Sequence, residues 1–181
     1  SLALSYAPAD VHVYVLDFGG RTLSLFEGRL PHIGGVVTAD QAERVSRLLH
    51  YLRDELERRR TLFGAEGVTT LEAYRALPGK AEPAILLLLD NYANFATTYA
   101  DDDLTLNTIV QLVRDGSSYG LHVVLTTNEP NSIRLNLLSN IGIRMTLNLT
   151  TIADYSEVVG RRVEVAPEQV QGRGLLGGER P

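Results

Sequence analysis

One stretch, AILLLLDN at residues 84–91, constrains the fold of this chain more than any other, because five aliphatic residues run straight into Asp90. Two further apolar segments, VHVYVLDF (11–18) and LHVVLTT (121–127), have the same character. Strands that are apolar on both faces belong to parallel sheets covered by helices, since water-exposed strands alternate polar and apolar residues. The sequence therefore predicts an α/β protein with three layers and a mainly parallel central sheet.

The segments between these strands carry helical periodicity. The first helix is predicted to begin at Thr38 or Asp40 and to end by Gly67, and its apolar face is formed by Val45, Leu48, Leu49, Leu52 and Leu56. Its basic run, Arg58–Arg60, is predicted either to be exposed to solvent or to interact with the partial negative charge at the C-terminus of the helix. Further helices are predicted from Thr69 or Thr70, from Asp102 to Ser118, from Ser132 to Asn140 and from Ala153 to Val159, with strands at 143–149 and 174–176.

Composition excludes several classes of protein. The 181 residues suffice for one ordinary domain. With 17 Lys+Arg against 22 Asp+Glu, the net charge of -5 does not supply the positive field that attracts nucleic acid. The chain has no cysteine, which excludes disulfides and thiolate metal sites. No apolar run reaches the ~20 residues of a membrane span and the first residues lack a basic region, so we expect a soluble intracellular protein.

Polar residues at the predicted strand ends mark the place to look for a ligand. In parallel α/β sheets, ligands bind beyond the carboxyl ends of the strands, where the strand order switches direction. The candidates are Asp17, Asp90 with Asn91, the triplet at 126–128, and Arg144. A strand-end acid is also a common cap or turn former, so the residues alone leave a functional and a structural interpretation open.

Glycine-rich phosphate-binding motifs would favour a functional role for the strand-end residues, but the sequence contains no convincing motif of this kind. The segment GRGLLG (172–177) matches the dinucleotide pattern, but only four residues follow it, so no helix can begin there to hold a pyrophosphate. The pattern G-x-x-x-x-G-K-[ST] does not occur in the chain, and the lysine of PGK (78–80) is followed by Ala81.

A series of motifs nevertheless resembles one family. In order along the chain they are LDFGGRTL (16–23), PHIGGVVT (31–38), ERRRTLF (57–63), GVTTLEAYRAL (67–77), ILLLLDN (85–91), YGLHVVLTTNEP (119–130) and QGRGLL (171–176). They resemble the FtsK/SpoIIIE-type ATPase modules, in particular those of the type VII secretion ATPases called EccC or EssC. The resemblance covers essentially the whole chain and implies a RecA-like P-loop NTPase fold, with ATP and Mg²⁺ as the cofactors of the parent protein.

The resemblance also implies roles for four residues. Asp90 matches the Walker B aspartate, which holds Mg²⁺ through water, and Asn91 falls where a catalytic carboxylate would polarise the attacking water. Asn128 matches a polar sensor of the γ-phosphate. Arg144 matches an arginine finger that acts in trans on the nucleotide of a neighbouring module.

Three departures from the family pattern matter: the missing phosphate loop and Asn91 indicate a degenerate module, and Glu129 weakens the interpretation as a DNA translocase. The segment SLALSYAP resembles the tail of the helix that follows a phosphate loop, so residues 1–181 are expected to form a single domain that begins downstream of it. Asn91 cannot accept a proton, which removes general-base assistance worth ~10²–10⁴-fold. Glu129 stands where the DNA-pumping relatives carry arginine.

The implied function is that of a module in a membrane-associated motor for protein export. It would act in ring assembly, regulation or substrate-signal binding, and would not hydrolyse ATP alone. The implied partners are neighbouring ATPase modules and secreted proteins with helical export signals. The implied location is the cytoplasmic face of the cell membrane, reached through the rest of the parent chain. Three alternatives stay open: a module that hydrolyses ATP, a DNA translocase of the FtsK/SpoIIIE type, and an unrelated nucleotide-binding α/β domain.

Overall fold

The computed structural model describes residues 2–160, 162–168 and 170–178. The chain divides into two compact units, Ser1–Leu137 and Leu138–Pro181. The expectation of a single domain over residues 1–181 stays a prediction, and residues 1, 161, 169 and 179–181 of that range lie outside the described part.

A four-stranded parallel sheet forms the centre of the first unit. Its strands are β1 (Val11–Asp17), β2 (Ile33–Thr38), β3 (Ala84–Asp90) and β4 (Leu121–Leu125), paired in the order β2-β1-β3-β4. The accompanying helices are α1 (Leu2–Ser5), α2 (Ala42–Ala65), α3 (Leu71–Arg75), α4 (Tyr92–Thr98) and α5 (Asp103–Asp115), and α6 (Leu135–Leu138) spans the boundary between the units. The α/β class and the parallel sheet are thus as the sequence predicts.

The buried core of this unit includes the apolar residues of β3 and α2 that the sequence predicts. On β3, alternate residues Ile85, Leu87 and Leu89 are at most 2% exposed. The predicted apolar face of α2 is also buried, as its inward residues Val45, Leu49, Leu52 and Leu56 show. Burying a Leu or Val side chain fully stabilises a fold by about 1.5–3 kcal/mol, so this one helix face fixes α2 on the sheet.

Strand β2, helix α4 and a 3-10 turn at Leu23–Phe26 were not predicted. Strand β2 carries Gly34 and Gly35, and a side chain at Gly34 would overlap the ring of Tyr14, so the glycine reflects a close contact within the sheet. Helix α4 begins directly after β3, although its segment is rich in threonine. Thr97 and Thr98 bond back to backbone carbonyls four residues earlier, which satisfies hydroxyls that would otherwise compete with the helix.

Several predicted elements are shorter in the structure. The helix predicted over 102–118 covers Asp103–Asp115, because Asp102 caps it, and a 3-10 turn follows at Ser117–Tyr119. The helix predicted over 132–140 is reduced to α6, preceded by a 3-10 turn at Pro130–Ser132.

The basic run at the end of α2 is not simply solvated, and the prediction is wrong for Arg59. Its side chain is fully buried, donating from Nε to Oε1 of Glu55 at 2.7 Å and from Nη1 to the carbonyl of Tyr119 at 2.9 Å. Arg58 donates to both Glu55 and Glu82. Burial raises the pKa of Glu55, but the hydrogen bonds from both arginines outweigh it and hold that pKa below its ordinary value. A charged network therefore ties α2 to the turn before β4.

The second unit is a two-stranded antiparallel sheet with one helix. Strand β5 (Ile143–Thr146) pairs with β6 (Leu175–Gly178), and α7 (Ile152–Val159) carries a capping box between Thr151 and Asp154. The predicted helix at 153–159 agrees within one residue, whereas the strand predicted over 143–149 ends at Thr146. Neither α7 nor any other helix of the described residues combines the length and the apolar character that crossing a membrane requires.

Candidate functional site

The strand order places two aspartates at the switch point of the sheet. Strand β2 lies on one side of β1, and β3 with β4 lies on the other, so the direction of winding changes between β1 and β3. The last residues of these two strands, Asp17 and Asp90, are register partners. A crevice outside the carboxyl ends of such strands is where α/β sheets bind ligands.

Asp17 is a structural residue in this crevice. It is 2% exposed, and its carboxylate accepts three backbone N–H groups of the following loop. Oδ1 accepts from Gly19 at 3.2 Å and from Arg21 at 3.0 Å, and Oδ2 accepts from Leu23 at 2.9 Å. Both oxygens accept hydrogen bonds from the turn that they build, which supports the structural interpretation of this strand-end acid.

The loop built by Asp17 lies against Asp90. The backbone N–H of Phe18 donates to the carbonyl of Asp90 at 3.1 Å, and the amide of Asn94 donates to the carbonyl of Phe18 at 3.0 Å. A side chain at Gly19 would overlap Oδ2 of Asp90. Residue 19 must therefore be glycine for the loop and the carboxylate to lie this close together.

Only one of the two oxygens of the Asp90 carboxylate accepts a hydrogen bond from the described residues. Its Oδ1 accepts the hydroxyl proton of Thr126 at 2.7 Å. None of the described residues donates a hydrogen bond to Oδ2. Asp90 is therefore less engaged and less buried than Asp17, and it is the strand-end acid with more acceptor capacity for a ligand.

Asn91 follows Asp90 with unusual backbone geometry. It adopts a left-handed conformation with φ of 58° and ψ of 70°, and it is the N-cap of α4. Its side-chain oxygen accepts from the N–H of Asn94 at 3.3 Å. Asn is among the few residues that tolerate this conformation, and it is also a favoured cap. Asn therefore satisfies two local structural demands here, the left-handed backbone and the cap of α4.

Asn128 is an exposed residue on the loop after β4 and forms no hydrogen bond to the described residues. The loop is organised by its neighbour Thr127, whose hydroxyl accepts from the N–H of Glu129 at 3.1 Å and contacts that of Ser132 at 3.3 Å. The sensor role proposed for Asn128 stays a prediction. Sequence reasoning singled out the triplet at 126–128, but it assigned no role to Thr126, the member that contacts Asp90.

Arg144 belongs to the second unit. Its guanidinium donates to the carbonyl of Leu138 at 2.7 Å and lies beside Gly160, the C-cap of α7. These contacts lie within the second unit and give Arg144 a local structural role there. Its action in trans on another module's nucleotide stays a prediction.

The chain fits only part of an ATP–Mg²⁺ site. The free oxygen of Asp90 suits a water-mediated contact to Mg²⁺, which prefers oxygen ligands and retains several waters. Among the described residues, no group of three or more His, Asp or Glu lies close enough together to hold a metal ion directly. The one lysine of the sequence, Lys80, lies in the loop before β3 and is paired with Glu66, and the sequence has no G-x-x-x-x-G-K-[ST] loop, so the phosphate-binding part of such a site does not fit.

A parallel sheet with a strand-end aspartate at its switch point defines the class of α/β proteins that bind ligands at this edge. The chain belongs to the FtsK/SpoIIIE family, whose family model matches residues 1–173. It is 34% identical over 181 residues to the ESX secretion system protein EccC of Thermomonospora curvata. The match covers 97% of this chain but 13% of that protein, so the chain spans about an eighth of the relative's length.

Solved structures of type VII secretion ATPases share the fold. The structure of ATPases 2 and 3 of EssC from Geobacillus thermodenitrificans superposes with a TM-score of 0.89 at 26% identity, covering 99% of this chain and 33% of that one. The structure of ATPases 2 and 3 of Thermomonospora curvata EccC, solved in complex with a signal sequence peptide, gives a TM-score of 0.80 at 33% identity, covering 97% and 32%. The predicted three-layer RecA-like fold and the resemblance to EccC and EssC are confirmed.

Proposed function

We propose that this chain is a module of an EccC/EssC-type motor for protein export, in which it serves ring assembly, regulation or substrate-signal binding and does not hydrolyse ATP. The observation that carries the proposal is the state of residue 91. At the position where the family resemblance puts a catalytic carboxylate, an amide side chain caps α4 from a left-handed backbone. An amide has no basic site for the proton of an attacking water, so general-base catalysis is lost.

The motor itself belongs to the parent protein. Because this chain spans 13% of Thermomonospora curvata EccC, most of such a machine lies in other modules. We propose that ATP and Mg²⁺ are cofactors of those modules, that this module docks on them, and that the assembly works at the cytoplasmic face of the cell membrane.

The proposed cargo is a secreted protein with a helical export signal. The 33%-identical pair of ATPase modules from Thermomonospora curvata was solved with a signal sequence peptide. A module without its own hydrolytic chemistry is suited to this task, since binding a signal requires a surface and no reacting group. The net charge of -5 also favours a protein partner over nucleic acid.

Calorimetric titration of the chain with ATP in the presence and absence of Mg²⁺ tests the proposal. We expect no binding in the micromolar range and no phosphate release above background, because the phosphate-binding part of the site does not fit. Asp90→Ala is the matched control, since it removes the carboxylate that the family resemblance assigns to Mg²⁺. A micromolar, Mg²⁺-dependent dissociation constant that Asp90→Ala abolishes would overturn the proposal.

A further inference from the structure

Residue 126 forms a hydrogen bond with each of four consecutive residues at the end of β3. Its backbone N–H donates to the carbonyl of Leu89 at 3.0 Å, and its carbonyl accepts from the N–H of Tyr92 at 2.7 Å. Its hydroxyl donates to Oδ1 of Asp90 at 2.7 Å and accepts from the N–H of Asn91 at 3.0 Å. The two backbone bonds extend the sheet beyond its last paired residues, but the two hydroxyl bonds depend on the side chain.

We propose that Thr126 is a positioning residue of the candidate site: its hydroxyl holds Oδ1 of Asp90 and so fixes the carboxylate with Oδ2 beside Gly19, and it holds Asn91 in its left-handed conformation. The inference rests on the proposed function in one respect, since Asp90 is the residue through which such a module would contact Mg²⁺. The positioning itself involves only residues of this chain.

The direction of each bond follows from the chemistry of a hydroxyl, which has one proton to donate and two lone pairs. The N–H of Asn91 can only donate, so it must use a lone pair of Thr126. The single hydroxyl proton is then directed to Asp90. A hydrogen bond to an ionised carboxylate is roughly twice as strong as one between neutral groups, so this contact fixes the carboxylate better than a backbone contact alone.

The neighbouring polar residues do not share this role. The hydroxyl of Thr127 is engaged with Glu129 and Ser132 in the turn after β4. Asn128 is exposed and forms no bond to the described residues. Thr127 is consequently a matched control for Thr126: it is the same residue type, one position further along, and its hydroxyl serves a different turn.

The test compares Thr126→Val, Thr126→Ser and Thr127→Val in the 181-residue chain by NMR, without nucleotide. Valine keeps the β-branched shape and removes the hydroxyl, and serine keeps the hydroxyl. We expect Thr126→Val to accelerate hydrogen exchange at the Asn91 amide by about tenfold, as loss of one hydrogen bond implies, and to shift the side-chain carboxyl ¹³C resonance of Asp90. Thr126→Ser and Thr127→Val are expected to leave both signals near their original values.

Two outcomes would overturn the inference. One is a Thr126→Val spectrum in which the Asn91 exchange rate and the Asp90 resonance are unchanged. The other is a Thr126→Ser variant that changes both signals as much as valine does, which would assign the effect to packing of the methyl group. If Thr126→Val does not fold, a double-mutant cycle of Thr126→Ala and Asp90→Ala decides. Coupling of at least about threefold in the unfolding equilibrium constant supports the contact, and additive effects contradict it.

The result is independent of whether the chain binds ATP. Micromolar ATP binding would overturn the proposed function and leave the contact between Thr126 and Asp90 standing. Conversely, unchanged NMR signals would refute the positioning role while the calorimetric result still supported a module that does not hydrolyse ATP.

Discussion

Asp17 and Asp90 pair in register at the ends of neighbouring strands, and their carboxylates have opposite environments. Asp17 is 2% exposed and accepts three backbone N–H groups, whereas Asp90 accepts one hydroxyl on one oxygen. The first carboxylate builds the loop that covers the second. A site at this switch point therefore depends on both acids, one for the shape of the crevice and one for its chemistry.

This contrast predicts different costs for the same substitution. Asp17→Ala leaves three backbone N–H groups of the following loop without their acceptor and is expected to reduce the free energy of unfolding by about 2 kcal/mol. Asp90→Ala removes one hydroxyl contact and is expected to cost under about 1.5 kcal/mol. Urea unfolding of both variants measures the difference. Equal losses would show that Asp90 is as much a structural residue as Asp17.

Gly19→Ala tests the close approach of the loop to Asp90. The added Cβ would overlap the carboxylate, which is itself held by Thr126, so we expect a loss of about 1–3 kcal/mol from overpacking. Gly35→Ala is the control, because a Cβ on Gly35 meets nothing within 4 Å. Thermal unfolding of both variants should show a clear decrease for residue 19 only. A tolerated alanine at residue 19 would mean that the loop lies further from Asp90.

Much of the fold and part of the site can be predicted from the sequence. Strands β1, β3 and β4 are identifiable because their apolar runs are long, and Asp90 is identifiable because it ends one of them. Arg59 could not be recognised as buried, since its charge is compensated by Glu55, four residues earlier on the same face, and by a carbonyl sixty residues away in the chain. Long-range contacts of this kind leave no periodic pattern.

The role of Thr126 was missed for a related reason. Threonine is common in strands, so its presence directly after β4 carries no signal in the sequence. Only the pairing of β3 with β4 brings Thr126 to Asp90. The apolar pattern identified Asn91 only as the residue after β3, because helix α4 was not predicted. The left-handed cap is visible only when the helix that begins after it is known.

The effect of substituting Asn91 on the free energy of unfolding should depend on the left-handed backbone and the cap more than on the charge of the new side chain. Asn91→Asp keeps both the tolerance for the left-handed conformation and the capping oxygen, so its unfolding free energy should lie within about 0.5 kcal/mol of the parent value. Asn91→Glu loses the cap and places a longer side chain at φ of 58°, with an expected cost of about 1–3 kcal/mol. Chemical unfolding of both variants checks the order. If Asn91→Glu proves as stable as Asn91→Asp, residue 91 does not cap α4.

Asp115 provides a prediction about pH. The hydrogen bond from Arg114, with a further contribution from Arg60 on α2, lowers its pKa from 3.8 to about 2, although burial opposes the shift. A lowered folded-state pKa stabilises the fold above the unfolded-state pKa, and this stabilisation is lost as the pH falls through the folded value. Asp115→Asn should therefore be less stable than the parent at about pH 6, and the difference should disappear between about pH 4 and about pH 2. If Asp115→Asn is still less stable than the parent at about pH 2, the loss comes from packing and not from the charge of Asp115.

Binding to double-stranded DNA separates the proposed export module from a DNA translocase. A protein that neutralises several phosphates needs a basic surface, and its affinity falls steeply with salt. This chain carries a net charge of -5, and Glu129 is exposed on the loop after β4. We expect no binding to a labelled duplex by fluorescence anisotropy at about 150 mM salt, and only weak binding at about 20 mM. Glu129→Arg is an informative companion, because the added positive charge should increase only the weak, salt-sensitive component. Submicromolar binding by the parent chain that persists at the higher salt concentration would favour the DNA translocase over the export module.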